Sequence, residues 1–217
     1  MLIEDIMTTK VVTVTPADSI AEALRRTRAG RFRHLPVVDG ERVVGVVSDR
    51  DLRAAVPALV TDDAEEYLEQ IRVDLVMHPD VIVAHPLDPV EDAARLMYEH
   101  KIGCLPVVSG DRLVGIVTET DVLRSFVEMS GGLQTGSRIE IEAEDRPGVL
   151  AEIGEITRRH HVNVASIFTT PAKRPGRVVL VVRLQALDLR PIVRDLKAAG
   201  YEVRWPNPLG SAGVTTP

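Results

Sequence analysis

The chain has 217 residues, enough for one large domain or two modest ones with buried cores. Its composition, 45% apolar and 27% charged, excludes wholesale disorder. The 26 basic and 32 acidic side chains leave a formal charge of −6, and aromatics make up only 3%, which together exclude a general nucleic-acid surface or a base-stacking platform.

Cys104 is the sole cysteine, so no intrachain disulfide forms and a reducing compartment fits. No apolar run approaches the roughly 18–20 residues that span a bilayer. The start, Met1-Leu2-Ile3-Glu4-Asp5, lacks the basic and apolar regions of a signal peptide. A cytoplasmic protein without membrane or nucleic-acid partners is expected. A phosphate-bearing ligand would need a local basic cluster, and Arg25, Arg26, Arg28, Arg31, Arg33 and His34 offer one.

From the N-terminus, an extended piece, Val11–Val14, runs into Pro16. The spacing of Ile20, Ala23, Leu24 and Thr27 predicts a helix with one buried stripe. Two short apolar strands follow, Leu35–Val38 and Val43–Val47, joined by the hairpin signal Asp39-Gly40. A closing helix begins at Ser48. Thr61-Asp62-Asp63 then precedes an acidic helix over Ala64–Ile71, whose charges read as a solvated face.

The pattern then repeats. Met7–Asp51 aligns without gaps on Met77–Asp121, and sixteen of the 45 aligned positions are identical, among them Leu35-Pro36-Val37-Val38 with Leu105-Pro106-Val107-Val108. The second copy has its own extended piece (Val81–Val83) and a helical stripe of Val90, Ala93, Ala94 and Met97. Its strands are Leu105–Val108 and Leu113–Val117, and its closing helix begins at Thr118.

Gly131-Gly132 and Thr135-Gly136 mark a flexible boundary. Beyond it the pattern predicts a strand over Arg138–Ala143 and a helix over Val149–His160, with Asp145 as N-cap near Pro147. Strands Asn163–Thr169 and Val178–Leu184 flank a basic hairpin. A helix with Leu189, Ile192, Val193, Leu196 and Ala199 on one face stops at Gly200, before a strand over Tyr201–Trp205. The order βαββαβ is ferredoxin-like. The expected organisation is 1–60 and 61–130 for the two repeats, 137–206 for the C-terminal domain, and a disordered tail at 207–217.

Each repeat ends alike, in Gly45-Val46-Val47-Ser48-Asp49-Arg50-Asp51 and Gly115-Ile116-Val117-Thr118-Glu119-Thr120-Asp121. A hydroxyl at a helix start with a carboxylate three residues on is a capping box. The same geometry serves a ligand: a helix N-terminus with a hydroxyl attracts phosphate, and a fixed carboxylate accepts ribose hydroxyls.

These endings, the paired Leu-Pro-Val-Val segments and the extended stretches before Pro16 and Pro86 resemble a pair of CBS domains, the Bateman module that binds adenosine nucleotides. The resemblance covers about 1–128 and implies two repeats related by a pseudo-twofold axis, with two clefts for AMP, ADP or ATP. It implies that Asp51 and Asp121 hold ribose hydroxyls, that Ser48 and Thr118 face phosphate, and that Val14 and Ala84 line an adenine slot. It also places Arg33 and His34 against phosphate. The second repeat has Gly103 and Cys104 there, with only Lys101 nearby. The first cleft, taken as that of Asp51, is therefore expected to prefer phosphorylated ligands, with a pH dependence near ~6.5 from His34. Cys104 reads as a packed small residue, since no His–Asp/Asn pattern accompanies it.

The C-terminal stretch 137–206 resembles an ACT domain, on Asp145-Arg146-Pro147-Gly148-Val149-Leu150 and Val162-Asn163-Val164. That implies an amino-acid ligand near Asp145, Gly148 and Asn163, or else a dimerising module. The six histidines form no metal-binding pattern, and no phosphate loop, nucleophile elbow or paired-carboxylate cleft is present. The expected class is mixed α+β and α/β: tandem CBS repeats and a ferredoxin-like ACT domain, of the acetoin-utilisation protein B type. The expected function is a non-catalytic, homodimeric sensor of adenine nucleotides that uses no metal or catalytic cofactor and acts through a partner protein. The alternative is an oligomerisation module with vestigial clefts.

Overall fold

The computed structural model describes residues 1–55 and 64–206. Thr61-Asp62-Asp63 and the tail expected at 207–217 lie outside the described residues. The chain divides into two compact units, Met1–Ser125 and Phe126–Pro217.

In the first unit each repeat supplies a helix, a hairpin and a closing helix. The first has α1 (Ile20–Gly30), β1 (His34–Asp39), β2 (Arg42–Ser48) and α2 (Asp49–Ala54). After α3 (Ala64–Gln70), the second has α4 (Val90–His100), β3 (Cys104–Ser109), β4 (Arg112–Thr118) and α5 (Glu119–Met129). The predicted stripe of α1 is buried at all four positions, whereas Ala94 of α4 is half-buried. Ser19 caps α1 by accepting from the Glu22 backbone N–H. Arg31 and Lys101 end α1 and α4 in the left-handed conformation, at φ 53° and 55°. Gly40 and Gly110, at φ 62° and 61°, turn the two hairpins.

The strands form one sheet in the order β1-β2-β4-β3, with antiparallel pairing. The duplication extends to its irregularities, since both hairpins shift register at the second Val of the Leu-Pro-Val-Val segment. The extended pieces dock as single parallel bridges, Val14 on Val37 and Ala84 on Val107.

The N-terminal segment of each repeat packs on the other repeat. Ile3 is fully buried in the second repeat's core with Ala93 and Leu105, and Val73 in the first repeat's core with Ile20 and Leu35. Thr8 bridges to Ile116 of β4, and His78 to Val46 of β2. A Cβ on Gly45 would lie 2.6 Å from the Met77 sulfur, and one on Gly115 would lie 2.6 Å from that of Met7. These repeated glycines admit the methionine arriving from the opposite repeat.

The second unit runs β5 (Ser137–Glu144), α6 (Val149–Arg159), β6 (Val164–Pro171), β7 (Arg177–Leu184), α7 (Arg190–Ala198) and β8 (Glu202–Trp205). Its sheet order, β6-β7-β5-β8, is that of a ferredoxin-like fold. Ile139, Ile141 and Ala143 of β5 face the helices and pack with Ile153, Ile156 and Ile192. On α7, Ile192 and Leu196 are buried, while Ala199 lies past the helix end and is exposed.

Two local expectations change. Asp145 does not cap α6: the helix starts after Gly148, which sits at φ 94° with no side-chain cap, because Pro147 and Gly148 carry the turn past Asp145. Glu142, on the sheet face away from the helices, is only 3% exposed. Arg177, Arg174 and Arg204 cover it at 2.7, 3.6 and 3.7 Å.

Candidate functional site

The strand-to-helix junctions fix two carboxylates in equivalent settings. The Ser48 backbone N–H and hydroxyl both donate to Asp51 Oδ2, at 3.0 and 2.6 Å. Thr118 donates in the same way to Asp121 Oδ2, at 2.9 and 2.6 Å. The capping box is therefore formed, yet it engages Oδ2 alone and leaves Oδ1 of each carboxylate outside it. Cap and ligand acceptor are compatible roles of one side chain.

A cleft of about 420 Å³ opens at Asp51 and Ser48, and one of about 330 Å³ at Asp121 and Thr118. Both lie within the size range of small-molecule sites. Because the N-terminal segments cross over, each cleft takes its far wall from the other repeat. The Asp51 cleft is faced by His78, Asp80, Val81 and Ile82, and by Lys101 to Cys104. The Asp121 cleft is faced by Thr8, Lys10, Val11 and Val12, and by Arg31 to His34. Arg33 and His34 also reach the Asp51 cleft, as a wall common to both.

The expected asymmetry holds only in part: Arg33 and His34 line the Asp51 cleft as expected, but they line the Asp121 cleft as well. Lys101, Gly103 and Cys104 face Asp51, and the segment rich in arginine faces Asp121. The Asp121 cleft has three fixed cations, Lys10, Arg31 and Arg33, and one carboxylate. The Asp51 cleft has Arg33, Arg50 and Lys101 against Asp49, Asp51, Asp80 and Glu119. Formal charge is thus +2 in the second cleft and −1 in the first.

Burial, then the charge of Arg33, lowers the pKa of His34, against the pull of Asp49, Glu119 and Asp51. The pH dependence expected near ~6.5 therefore moves lower. Burial alone would raise Asp51, but hydrogen bonds from Ser48 and the neighbouring His78, 3.4 Å from Oδ1, more than offset it and its pKa falls. Burial, then Glu119, pushes the Cys104 thiol up to about 12, which leaves no thiolate for chemistry.

Both depressed values carry the same sign. The unfolded chain protonates His34 near ~6.5 and Asp near ~3.9, while the folded state resists both protonations. Stability should decline as pH falls below about 6.5, and again below about 4. In urea titrations followed by circular dichroism, His34→Gln should flatten the decline between pH 7.5 and 5.5 and leave the acid limb in place. An unaltered profile would remove His34 from the linkage.

Other sequence-derived assignments separate. Val14 and Ala84 line neither cleft: at 1% and 3% exposure they are core residues, because their bridges to Val37 and Val107 turn them inward. Arg25 and Arg26 are engaged by Glu22, with Glu69 also on Arg25, and Arg28 lines neither cleft, so the basic cluster reduces to Arg31, Arg33 and His34 at the clefts. His78, Lys10, Asp80 and Glu119 were not foreseen. The 70-residue offset pairs each with a counterpart, but only the crossover says which cleft it faces.

The ACT-type triad does not converge within the chain. Asp145 and Gly148 follow the end of β5, whereas Asn163 precedes the start of β6. Both strands pair antiparallel with β7, so they run parallel and these two points fall at opposite ends of the sheet. At the turn, Arg146 folds onto Glu152 at 2.7 and 2.9 Å. Arg146 first, and the Tyr201 hydroxyl next, hold the Glu152 carboxyl down at about 2. Among the described residues no helix is long and apolar enough to cross a membrane, and no group of three or more His, Cys, Asp or Glu side chains could hold a metal ion.

The family model for the CBS domain matches residues 3–58 and 71–128, and that for the ACT domain matches 137–200. An uncharacterized protein of Methanocaldococcus jannaschii, MJ1225, is 33% identical over 134 residues; the match covers 58% of this chain and 47% of that protein, so the chain spans about half its length. A structure assigned as an acetoin utilization protein (AcuB) from Vibrio cholerae is 32% identical with a TM-score of 0.52, covering 63% of this chain and 98% of the other. The structure of CBSX2 in complex with AMP is 30% identical with a TM-score of 0.52, covering 59% and 97%.

Proposed function

The chain belongs to the CBS-domain family, with an ACT domain behind the pair, and from that premise we propose that it is a non-catalytic regulator that responds to adenine nucleotides. The observation that carries the reading is the pair of equivalent carboxylates. Asp51 and Asp121 each have one oxygen held by a cap and stand at the rim of a cleft large enough for a nucleotide. In this reading they accept ribose hydroxyls, while Ser48 and Thr118 stand beside the phosphate. Lys10, Arg31 and Arg33 make the Asp121 cleft the one that retains AMP, ADP or ATP. The AMP complex of CBSX2 supports the choice of ligand class.

The ACT unit is the output module in this reading. Its outer strand β6 has one edge without a paired strand among the described residues, on which a second copy would pair to give a homodimer. The regulated partner protein would then meet an assembly whose CBS clefts are filled or empty. An amino-acid ligand is not carried by Asp145, Gly148 and Asn163 within one chain.

Thermal unfolding with AMP, ADP, ATP and NAD tests the proposal. A ligand at a hundred times its Kd stabilises the folded state by about 2.7 kcal/mol, which raises the midpoint by several degrees. At least one adenine nucleotide should do so. No shift with any of them would leave the pair as an oligomerisation module with vestigial clefts.

A further inference from the structure

The second unit has a cavity of about 610 Å³ at the end of its sheet where β5 begins, the end opposite the Asp145 turn. Its size is that of a small-molecule site. Arg138 of β5 lines it, as do Leu187 and Asp188 from the connection between β7 and α7, and Trp205 at the end of β8. Arg190, Val193 and Lys197 recur at helical spacing, so one face of α7 lines the cavity as well. The neighbouring face of that helix, with Ile192 and Leu196, is buried in the core.

The charges around this cavity are unequally committed. Arg190 closes on Asp188 through two guanidinium nitrogens, at 2.9 and 2.8 Å, and its backbone N–H donates to the same carboxylate at 3.0 Å. These bonds hold the Asp188 carboxyl down at about 2, so the group is ionised and already engaged. Asp188 is the sole carboxylate of the lining among the described residues. Arg138 is tied through Nη2 to Glu140, which lies outside the cavity. Lys197 has no side-chain partner among the described residues, and with the two pairs set aside it leaves one surplus positive charge. Beside it lie two large apolar side chains that water reaches, Leu187 at 91% exposure and Trp205 at 42%. A cation next to exposed apolar surface in a concavity marks a site for an amphipathic anion.

We propose that this cavity binds a monocarboxylate with an apolar body the size of a ring and no amine. Lys197 donates to the carboxylate in a charge-assisted hydrogen bond, and Trp205, Leu187 and Val193 cover the apolar body. One surplus positive charge matches a monoanion better than a phosphate dianion. An α-amino acid is disfavoured, because its ammonium would meet Lys197 and Arg138 while Arg190 already closes the one carboxylate that could accept it. The site lies wholly within the second unit and is independent of the nucleotide reading of Asp51 and Asp121.

Three probes share one carbon skeleton and differ in their polar groups: 3-phenylpropionate, 3-phenylpropanol and L-phenylalanine. Calorimetry on the full chain measures affinity, and the fluorescence of Trp205, the single tryptophan, gives a second reading at the cavity itself. The acid should bind about tenfold tighter than the alcohol or the amino acid, the worth of one charge-assisted hydrogen bond. Lys197→Gln should remove that advantage and leave the alcohol as it was. Leu187→Glu, which sets a carboxylate in the cavity, should weaken the acid more than the alcohol. Both positions are exposed, so folding is spared. No binding of the acid at millimolar concentration, or an affinity unmoved by both substitutions, overturns the inference. Binding of L-phenylalanine as tight as that of the acid also overturns it, and would make the cavity an amino-acid site.

Discussion

Replacing Glu142 with alanine is expected to lower the unfolding midpoint of the C-terminal unit by roughly 10–20 °C. The alternation of β5 sends Ile139, Ile141 and Ala143 to the helices and Glu142 to the opposite face, where an acidic side chain would ordinarily be solvated. Here it is 3% exposed beneath three guanidinium groups. Arg177 both donates to its carboxylate at 2.7 Å and reaches its backbone carbonyl. Removing one partner of a buried ion pair costs about 3–5 kcal/mol, because the remaining charge stays buried. The Arg174 side chain is 61% exposed and that of Arg204 35%, so both can turn to water, and only Arg177, at 25%, is left confined. A loss of about 2–3 kcal/mol follows, and each kcal/mol moves the midpoint of a domain this size by about 4–8 °C. Trp205 is the single tryptophan and lies in β8, so its fluorescence follows this unit in the full chain. Glu142→Gln, which keeps an acceptor of the same size, should lose less. A midpoint within about 2 °C of the parent would mean that the cluster behaves as surface ion pairs.

Local pattern was enough to read most of the scaffold. The helical stripe of α1, the two hairpins with their Asp-Gly and Ser-Gly turns, and the βαββαβ order all follow from periodicity and turn chemistry within about ten residues. The duplication also placed Ser48 with Asp51 and Thr118 with Asp121. What local pattern does not encode is which repeat an extended segment packs against. The bridges of Thr8 to Ile116 and His78 to Val46 join residues far apart in sequence. They decide that Arg31 and Lys10 face Asp121, and that Lys101 and Asp80 face Asp51.

The same blindness to long-range pairing explains Val14 and Ala84. Their neighbours Val12 and Ile82 line the clefts, and the phase of a short extended segment cannot be fixed until its partner strand is known. Asn163 fails for a topological reason, since a crossover helix returns the chain to the starting end of the sheet. Asp145 fails for a local one, because Gly148 takes the left-handed conformation at the helix start and leaves the aspartate outside it.

The larger expected effect is on binding. Asp121→Ala removes a carboxylate that in this account accepts two ribose hydroxyls, and each hydrogen bond to a charged acceptor is worth about 1.5–3 kcal/mol. AMP affinity should fall by about 100-fold or more. The same change deletes a helix cap, at a cost of about 0.5–2 kcal/mol of stability, so the variant should stay folded, with a circular dichroism spectrum like the parent's. Asp121→Asn, which retains cap capacity but not charge, should keep the stability and still bind AMP weakly. Asp51→Ala loses the equivalent cap in the first repeat, but it leaves Lys10, Arg31, Arg33 and Asp121 intact. Calorimetric titration of AMP into the parent, Asp121→Ala and Asp51→Ala chains measures this directly. The account predicts that Asp121→Ala weakens AMP binding by about 100-fold or more, whereas Asp51→Ala keeps it within about threefold of the parent. Equal affinity in all three chains, or loss confined to Asp51→Ala, would contradict it.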